Sequence, residues 1–196
     1  MNQTAHSLPL SMTALAQKMI AEVLQPGDFA IDATVGNGLD TFFLADQVGP
    51  HGHVIGFDIQ EIAHHRTNLI LGEAGLLTRV KLVQTGHENL AESLPETWHG
   101  QVKAVMFNLG YLPRGDKTII TVPETTVPAL ETAARCLCHG GRMCVVIYPG
   151  HTGGEKEAEA VQQWAENLPS MDYDLELLVS PKANDTAPRL LVVTRR

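Results

Sequence analysis

Short apolar runs rich in β-branched residues alternate with longer stretches of helical spacing along most of this sequence. Strands that are apolar on both faces and separated by helices are typical of a parallel sheet covered by helices on both sides. The pattern therefore predicts a doubly wound α/β fold, built as a single domain over residues 1–196 with an N-terminal helical segment at 1–27. The predicted strands are 29–33, 53–58, 79–84, 102–108 and 142–148, and the predicted helices are 12–24, 39–47, 60–74, 123–138 and 154–168.

The end of the chain departs from this alternation. Residues 173–180 (YDLELLVS) and 189–196 (RLLVVTRR) are both strand-like, and only the turn-rich segment PKANDTAP separates them. Parallel neighbours need a crossover long enough for a helix, so these two strands should form an antiparallel hairpin. The hairpin completes a predicted sheet of seven strands that is mostly parallel.

Composition fits a globular protein that buries a proper core, since 44% of the 196 residues are hydrophobic and 18% are charged. No apolar run approaches the roughly 20 residues that span a bilayer, and the first ten residues lack the pattern of a secretory signal. We therefore expect a cytoplasmic protein. The cysteines Cys136, Cys138 and Cys144 suit neither a disulfide framework nor a four-ligand zinc site, so we interpret them as reduced thiols and expect no metal.

The charge balance limits how the chain could bind nucleic acid. Fourteen Lys and Arg residues against twenty-two Asp and Glu give a formal net charge of −8. The molecule as a whole therefore repels polyanions. Binding to nucleic acid would require a local basic patch and close recognition of shape.

A glycine-containing turn, DATVGNG at 32–38, follows the first predicted strand. In an open α/β sheet, ligands bind beyond the carboxyl ends of the strands, and the first strand-to-helix turn is the usual place. Gly36 and Gly38 allow the backbone to approach a ligand because they carry no Cβ. Asp32, at the end of the strand, can accept a hydrogen bond from a ligand's ammonium group or from an ordered water. Any tight turn favours glycine, however, so the turn alone does not identify the ligand.

A second acid narrows the choice of ligand. Asp58 ends the second strand twenty residues after Gly38, where nucleoside-binding sheets hold ribose hydroxyls. Thr41 stands where a dinucleotide fingerprint has its third glycine, which favours a ligand with an amino acid head and a nucleoside tail over a pyrophosphate. S-adenosylmethionine is such a ligand, and at this point the chain resembles the Rossmann-like methyltransferases, whose sheet also ends in an antiparallel hairpin. A dehydrogenase is the less favoured alternative.

A polar-aromatic segment, NLGY at 108–111, follows the fourth predicted strand. Many amino-group methyltransferases carry Asn or Asp, two further residues and an aromatic residue at this place. Methyl transfer to an amine is an in-line displacement, so the protein mainly positions and desolvates the nitrogen. The Asn108 carbonyl could accept the amine hydrogens and Tyr111 could stack on a planar base. Alternatively, NLGY is a turn that closes the strand, with Tyr111 as a packing residue.

Several longer segments, in order along the chain, are similar to one bacterial family: NLGYLPRGDK, VPETT, VVIYPGHTGG and PKANDTAPRLLVV. That family, long described as rRNA methylases, is now assigned to the wobble uridine of certain tRNAs. The resemblance covers nearly the whole chain. It implies a Rossmann-like methyltransferase that uses S-adenosylmethionine to methylate the primary amine of 5-aminomethyl-2-thiouridine, giving the 5-methylaminomethyl form.

The resemblance also implies roles for individual residues. His151 could accept the proton that the amine loses, because imidazole titrates near neutral pH, although water could accept it instead. His87 and Glu88 lie where such enzymes often contact adenine. Alternatively, His87 belongs to a solvent-facing turn and Glu88 caps a helix. The implied sets are, for the cofactor, Asp32, Thr34, Gly36, Asn37, Gly38, Asp58, Ile59, His87, Glu88 and Asn108; for the substrate, Leu109, Gly110, Tyr111, Arg114, Asp116, Lys117 and Tyr148; and for catalysis, Asn108, Tyr111 and His151.

A tRNA substrate would add contacts outside the pocket. The wobble base must be splayed out of the anticodon stem-loop before its substituent can meet the methyl group. The basic residues expected against phosphates are Arg114, Lys117, Lys182 and Arg189. Because the chain is small and acidic, two subunits are expected to share the binding of tRNA as a homodimer. Two alternatives remain: a methyltransferase for an rRNA base or a small molecule, and a non-catalytic domain that binds S-adenosylmethionine or RNA.

Overall fold

The computed structural model describes residues 11–116, 118–179 and 186–196. Within these ranges seven strands form one sheet in the order β3-β2-β1-β4-β5-β7-β6. The strands are β1 Phe29–Asp32, β2 His53–Phe57, β3 Val80–Val83, β4 Val102–Asn108, β5 Leu137–Ile147, β6 Tyr173–Val179 and β7 Arg189–Arg195. The helices are α1 Met12–Ala21, α2 Leu39–Gln47, α3 Glu61–Glu73, α4 Leu90–Ser93, α5 Pro123–Cys136 and α6 Gly154–Glu166, with short 3-10 turns at Leu77–Arg79, His87–Asn89 and Glu96–Trp98.

The centre of the sheet contains the point where the strand order reverses. β1 pairs in parallel with β2 on one side and with β4 on the other. The chain builds β2 and β3 outward from β1, then returns to place β4 on the opposite side. This reversal creates a crevice at the carboxyl ends of β1 and β4, as predicted, because the connections from the two strands leave in opposite directions.

Helices cover both faces of the sheet, which explains why the central strands are apolar at most positions. In β4, Ala104 and Met106 belong to a core cluster that contains residues of α1, α2 and α3. Val105 and Phe107 belong to the opposite cluster, which contains residues of α4, α5 and α6. Alternate residues of a strand point to opposite faces, so both sets must be apolar. The predicted doubly wound fold is confirmed.

The C-terminal hairpin is also confirmed. β6 and β7 pair antiparallel from Tyr173 with Arg195 to Val179 with Arg189, and β7 pairs antiparallel with β5. Two residues predicted to bind substrate or phosphates, Lys117 and Lys182, lie outside the described residues.

The boundary between α5 and β5 differs from the prediction. The helix ends at Cys136 and the strand begins at once with Leu137, whereas the sequence predicted a helix to 138 and a strand from 142. The segment CHGG carries no β-branched residue, so no apolar pattern marks it as strand. A shift in the pairing of β4 with β5 accommodates these residues, and Gly140 there has a φ of 68°. The short helix α4 was not predicted either.

The cysteines are free thiols, with Cys136 and Cys144 buried. Burial raises the pKa of the Cys144 thiol to about 12, so it stays protonated at neutral pH. Among the described residues, no cluster of three or more His, Cys, Asp or Glu side chains could hold a metal ion. No helix in the described ranges is both long and apolar enough to cross a membrane.

Candidate active site

A cleft of about 650 Å³ opens at the carboxyl ends of the central strands. Its volume lies in the range of pockets that bind small molecules. It brings together residues that the sequence places far apart, from the turn after β1 to the segment after β5. The predicted site residues that line it are Thr34, Gly36, Asn37, Asp58, Ile59, His87, Glu88, Asn108, Leu109, Gly110, Tyr111, Tyr148 and His151.

The glycine turn and Asp58 form one wall of the cleft. Gly36 has a φ of 53°, and a Cβ there would meet only the side chain of Leu112, at 3.5 Å, and the Thr34 carbonyl oxygen, at 3.7 Å. The Gly36 N–H donates to Asp58 Oδ2 at 2.8 Å, and the Gln60 N–H donates to Asp58 Oδ1 at 2.9 Å. These backbone bonds fix the carboxylate beside the turn. Both oxygens retain lone pairs that could accept hydrogen bonds from ligand hydroxyls.

Gly38 has a structural role instead of the predicted ligand contact. It precedes α2 in a left-handed conformation, with a φ of 78°, and does not line the cleft. A Cβ there would lie 2.5 Å from Thr67 Oγ1 on α3. Glycine is therefore required for the close approach of the turn to α3. Its neighbour Asn37 does line the cleft and accepts a hydrogen bond from Arg66 Nη1 at 2.9 Å.

Asp32, which was predicted to contact the ligand, lies beneath the cleft and does not line it. Its side chain is 1% exposed. Oδ1 accepts a hydrogen bond from the Thr34 N–H at 3.1 Å, and Oδ2 accepts one from Thr41 Oγ1 at 2.6 Å. Burial, and next the charge of Asp40, raises the pKa of Asp32 to about 7. Asp32 thus supports the glycine turn from below.

Asp40, a buried acid in the first turn of α2, also lines the cleft, although no sequence pattern predicted it. Its Oδ2 accepts a hydrogen bond from Asn108 Nδ2 at 2.6 Å, and its Oδ1 accepts one from Gln17 Nε2 at 2.7 Å. Burial raises its pKa. An acid in a first helical turn is common and usually exposed, so no local signal distinguished this one.

The Asp40 contact determines which way the Asn108 side chain faces. Because the amide nitrogen donates to Asp40, the amide oxygen lies on the other side, where Tyr148 Oη donates to it at 3.3 Å. The Asn108 backbone N–H donates to Thr34 Oγ1 at 2.7 Å. Tyr148 Oη also lies 3.4 Å from Thr13 Oγ1, so α1 reaches the same network. Asn108 is thereby held with its carbonyl oxygen at the cleft.

His87 and Glu88 lie on the side of the cleft formed after β3. His87 is 6% exposed and contacts Phe107 edge-on, so the alternative of a solvent-facing turn is wrong. Burial lowers its pKa, which keeps the imidazole neutral at physiological pH. Its Nε2 lies 3.4 Å from Thr126 Oγ1. Glu88 is exposed at the rim of the cleft.

Residues 110–116 and 118–121 lie in a loop over the opposite side of the cleft, and its two ends are joined. The Gly110 N–H donates to Thr121 Oγ1 at 2.7 Å, and the Thr121 N–H donates to the Gly110 carbonyl at 2.9 Å. Tyr111 pairs with Ile120 in an antiparallel bridge. We call residues 110–121 the substrate loop.

His151 packs against this loop with one ring nitrogen available. Its Nδ1 lies 3.0 Å from the Thr152 carbonyl oxygen, which can only accept, so Nδ1 carries the hydrogen. Nε2 is buried and has no hydrogen-bond partner among the described residues. A Cβ at Gly110 would lie 3.3 Å from Nε2, and the Tyr111 ring contacts the imidazole edge-on. In the neutral imidazole the lone pair is on Nε2, which lies between Gly110 of the loop and Gly154 of α6, where a Cβ would lie 3.0 Å from it.

Three predicted polar residues lie outside this cleft. Arg114 is exposed on the loop, with a φ of 62° that is unusual for a residue other than glycine. Asp116 is exposed, and hydrogen bonds from Thr118 lower the pKa of its carboxyl group. Arg189 lines a separate cavity of about 200 Å³ beside α6 and β6. These residues could contact only parts of a substrate that remain outside the main cleft.

Residues 54–194 match the model of the family described as "Putative rRNA methylase". A protein from Arabidopsis thaliana, "tRNA (mnm(5)s(2)U34)-methyltransferase, chloroplastic", is 41% identical over 169 residues, which cover 82% of this chain. The matched region spans only 61% of that relative's length.

Solved structures show the same architecture over almost the whole chain. The crystal structure of a Clostridium thermocellum protein with the same rRNA methylase description is 37% identical, with a TM-score of 0.91 over 97% of this chain and 100% of its own. A methyltransferase from Streptococcus mutans, solved in complex with SAH, is 30% identical, with a TM-score of 0.84 over 96% of this chain and 100% of its own.

Proposed function

The chain belongs to the family described as "Putative rRNA methylase", and from this premise we propose that it methylates tRNA with S-adenosylmethionine as the methyl donor. The acceptor is the primary amine of 5-aminomethyl-2-thiouridine at the wobble position, and the product is the 5-methylaminomethyl form. The name of the Arabidopsis relative supports the substrate, and the S. mutans complex supports the cofactor.

The cleft fits the proposed cofactor. Gly36 lines the cleft and presents backbone without a Cβ, and Asp58 beside it offers carboxylate oxygens for ribose hydroxyls. We place the methionine part near Thr34 and Asn37, the ribose at Asp58 and Ile59, and the adenine near His87 and Glu88, all of which line the cleft. When bound, S-adenosylmethionine supplies a methyl group activated by a sulfonium.

Asn108 carries the proposed chemistry on the protein side. The attacking nitrogen must present its lone pair to the methyl carbon, so its hydrogens must point elsewhere. The Asn108 carbonyl oxygen is held at the cleft by the Asp40 contact at 2.6 Å and can accept one of these hydrogens. As the nitrogen attacks, the bond from methyl carbon to sulfur breaks and the nitrogen gains a positive charge. Tyr111 and Leu109 would flank the uracil ring.

The nitrogen then loses a proton, and we place its acceptor at His151 Nε2. This nitrogen is buried, unprotonated and without a partner among the described residues, in a ring that lines the cleft. A buried lone pair without a partner is uncommon and indicates a place for a donor. Water reaching the open cleft is the alternative acceptor.

The orientation of Asn108 by Asp40 is the observation that most supports an amine acceptor. Transfer of a tritiated methyl group from S-adenosylmethionine to tRNA tests the proposal. Two tRNAs should be compared that differ only in the 5-aminomethyl group on the wobble uridine. We expect label only in the tRNA that carries the amine. Equal labelling of both would exclude the wobble amine as the acceptor, and calorimetry with S-adenosylhomocysteine and NAD would verify the cofactor class separately.

The family description and the net charge favour a second set of acceptors. The description names rRNA, and a net charge of −8 is more easily reconciled with a small-molecule acceptor than with a polyanion. In the same assay, label in rRNA or in a low-molecular-weight fraction, with none in tRNA, would support this alternative. A protein that binds S-adenosylhomocysteine and labels none of these fractions would fit a non-catalytic binding domain.

We also propose that the protein acts in the cytoplasm as a homodimer that shares the anticodon stem-loop. The edge strand β6 exposes Leu175, Leu177 and Val179, each between 44% and 47% accessible. An exposed apolar edge strand favours pairing with another chain. Light scattering during gel filtration would give the mass, and a monomer mass with and without tRNA would exclude the dimer.

A further inference from the structure

Glu157 is a buried acid that the chemistry proposed above does not use. It lies in the first turn of α6 and is 1% exposed. It does not line the cleft. A carboxylate is rarely buried unless hydrogen bonds or a cation compensate for the lost water. Its hydrogen-bond partners therefore indicate why it is there.

Both carboxylate oxygens of Glu157 accept hydrogen bonds from threonines of other segments. Thr121 Oγ1, at the end of the substrate loop, donates to Oε2 at 2.8 Å. Thr126 Oγ1, on α5, donates to Oε1 at 2.6 Å. One side chain thus joins α6, the substrate loop and α5. Hydrogen bonds to a charged acceptor are among the stronger ones in proteins.

The contacts continue from Thr121 to the groups that face the substrate. Thr121 Oγ1 accepts the hydrogen of the Gly110 N–H at 2.7 Å. Gly110 packs on the His151 imidazole, since a Cβ at this position would lie only 3.3 Å from Nε2. Its φ of 126° also favours glycine. The His151 carbonyl accepts a hydrogen bond from the Gly154 N–H at 2.9 Å, at the start of α6. The contacts therefore form a closed ring from α6 through the loop and back.

We propose that Glu157 is a positioning residue that fixes the position of the substrate loop relative to the His151 imidazole, acting through Thr121 and Gly110. This role rests on the proposed methyl transfer. Without the carboxylate, the Thr121 hydroxyl loses its charged acceptor and the Gly110 end of the loop is held less firmly. The loop then samples positions in which the amine and His151 Nε2 no longer meet, while the cofactor wall at Gly36 and Asp58 is unaffected.

Four single variants test this role. Thr121→Val keeps the volume and removes the hydroxyl, Thr121→Ser restores the hydroxyl, and Glu157→Gln removes the charge. Glu159→Gln, an exposed glutamate on the same helix, is the matched control. Hydrogen exchange of amides 110–121, measured in the protein alone, should become roughly tenfold faster in Thr121→Val and Glu157→Gln, and change little in Thr121→Ser and Glu159→Gln.

The kinetic readout separates positioning from general damage. We expect kcat for tRNA methylation to fall about tenfold in Thr121→Val and Glu157→Gln, with the Kd of S-adenosylhomocysteine within about twofold of wild type. The double variant should lose much less kcat than the product of the two single losses, because both changes act on the Thr121–Glu157 contact.

Unchanged loop exchange in Thr121→Val, or additive losses of kcat in the double variant, would overturn the proposed role. If Glu157→Gln does not fold, the Thr121→Val and Thr121→Ser pair decides the outcome alone. If loop exchange responds as expected but wild-type protein transfers no methyl group to tRNA, the positioning contact stands and the proposed function fails.

Discussion

The two walls of the cleft are built in different ways. The cofactor wall, at 32–60, is held mainly by hydrogen bonds from backbone N–H groups to carboxylates within the same segment, from Thr34 to Asp32 and from Gly36 and Gln60 to Asp58. The substrate wall is held by side chains that meet across long sequence separations. Asn108 contacts Asp40, and Glu157 contacts Thr121.

This difference implies a division of tasks. Hydrogen bonds from backbone N–H groups to carboxylates within one β-α-β unit fix the geometry of the wall locally, which suits a cofactor of constant shape. Side-chain bonds between distant elements give a wall whose geometry depends on the packing of α1, α2, α5 and α6. That wall can be adjusted to orient an amine without altering the cofactor wall. Substitutions in the cofactor wall should therefore change the Kd of S-adenosylhomocysteine, and substitutions in the substrate wall should change kcat.

Asn108→Ala should give the largest effect, confined to turnover. The variant loses the carbonyl oxygen that we expect to orient the amine, and the cost of removing one aligned group in a catalytic site is about a hundredfold in kcat. The Kd of S-adenosylhomocysteine should change less than about threefold. Asn68→Ala, an exposed asparagine on α3, is the control. If Asn108→Ala loses as much cofactor affinity as kcat, the two walls do not have separate functions.

Asp58→Ala should give the converse result. Loss of the carboxylate removes the acceptor for the Gly36 N–H and for ligand hydroxyls, so cofactor binding should weaken by about 1 to 3 kcal/mol, which is roughly fivefold to 150-fold. Calorimetry with S-adenosylhomocysteine measures this change, and the KM for tRNA should stay near the wild-type value. Asp46→Ala, exposed at the end of α2, provides the comparison. Unchanged cofactor affinity in Asp58→Ala would place Asp58 outside the site.

The free energy of unfolding should depend on pH through Asp32, the buried acid beneath the cleft. Burial, and next the Asp40 charge, raises the pKa of Asp32 from 3.8 to about 7, so between these pH values the folded protein holds a proton that the unfolded chain has lost. Its stabilising contribution is complete below pH 3.8 and decreases as the pH rises toward 7.

Asp32→Asn should flatten this part of the profile, by on the order of 4 kcal/mol across the interval. Asp40, whose pKa burial also raises, should leave a residual slope of the same sign. Urea denaturation at a series of pH values measures both proteins. If the variant shows the same slope as wild type, then Asp32 is already ionised in the folded protein at acidic pH.

Arg114→Gln should give the smallest effect, on the substrate side only. Arg114 is exposed on the loop and could contact a phosphate but not the reacting atoms. We expect the KM for tRNA to rise a few-fold, and the slope of log affinity against log salt to decrease by about one. Lys18→Gln on α1 is the control for loss of a single positive charge. An unchanged salt slope would exclude a phosphate contact at Arg114.

The sequence predicted cleft residues that follow strands better than cleft and support residues that lie on helices. Gly36 and Asp58 follow strands directly, so the period of the strands and the rule for ligand crevices place them at the cleft. Asp40 and Glu157 lie on helices and have partners about 70 and 30 residues away, Asn108 and Thr126. No local pattern distinguishes such acids from exposed ones. The structure is needed to bring each pair together.

Two predicted residues show the limit of motif reasoning within the well-predicted wall. Asp32 and Gly38 belong to the same turn as Gly36, yet one supports the turn from below and the other allows α3 to pack closely. A motif specifies the residue type that a position requires. It does not specify whether a ligand or a neighbouring helix imposes the requirement.

The most direct test of the central claim is nucleoside mass spectrometry. Transfer RNA that carries 5-aminomethyl-2-thiouridine is incubated with the purified protein and S-adenosylmethionine, then digested to nucleosides. We predict that 5-aminomethyl-2-thiouridine decreases and that a nucleoside heavier by one methyl group, with the methyl on the exocyclic amine, increases in equal amount. If that nucleoside stays unchanged while binding of S-adenosylhomocysteine is verified, the proposed acceptor is wrong and the substrate wall serves a different molecule.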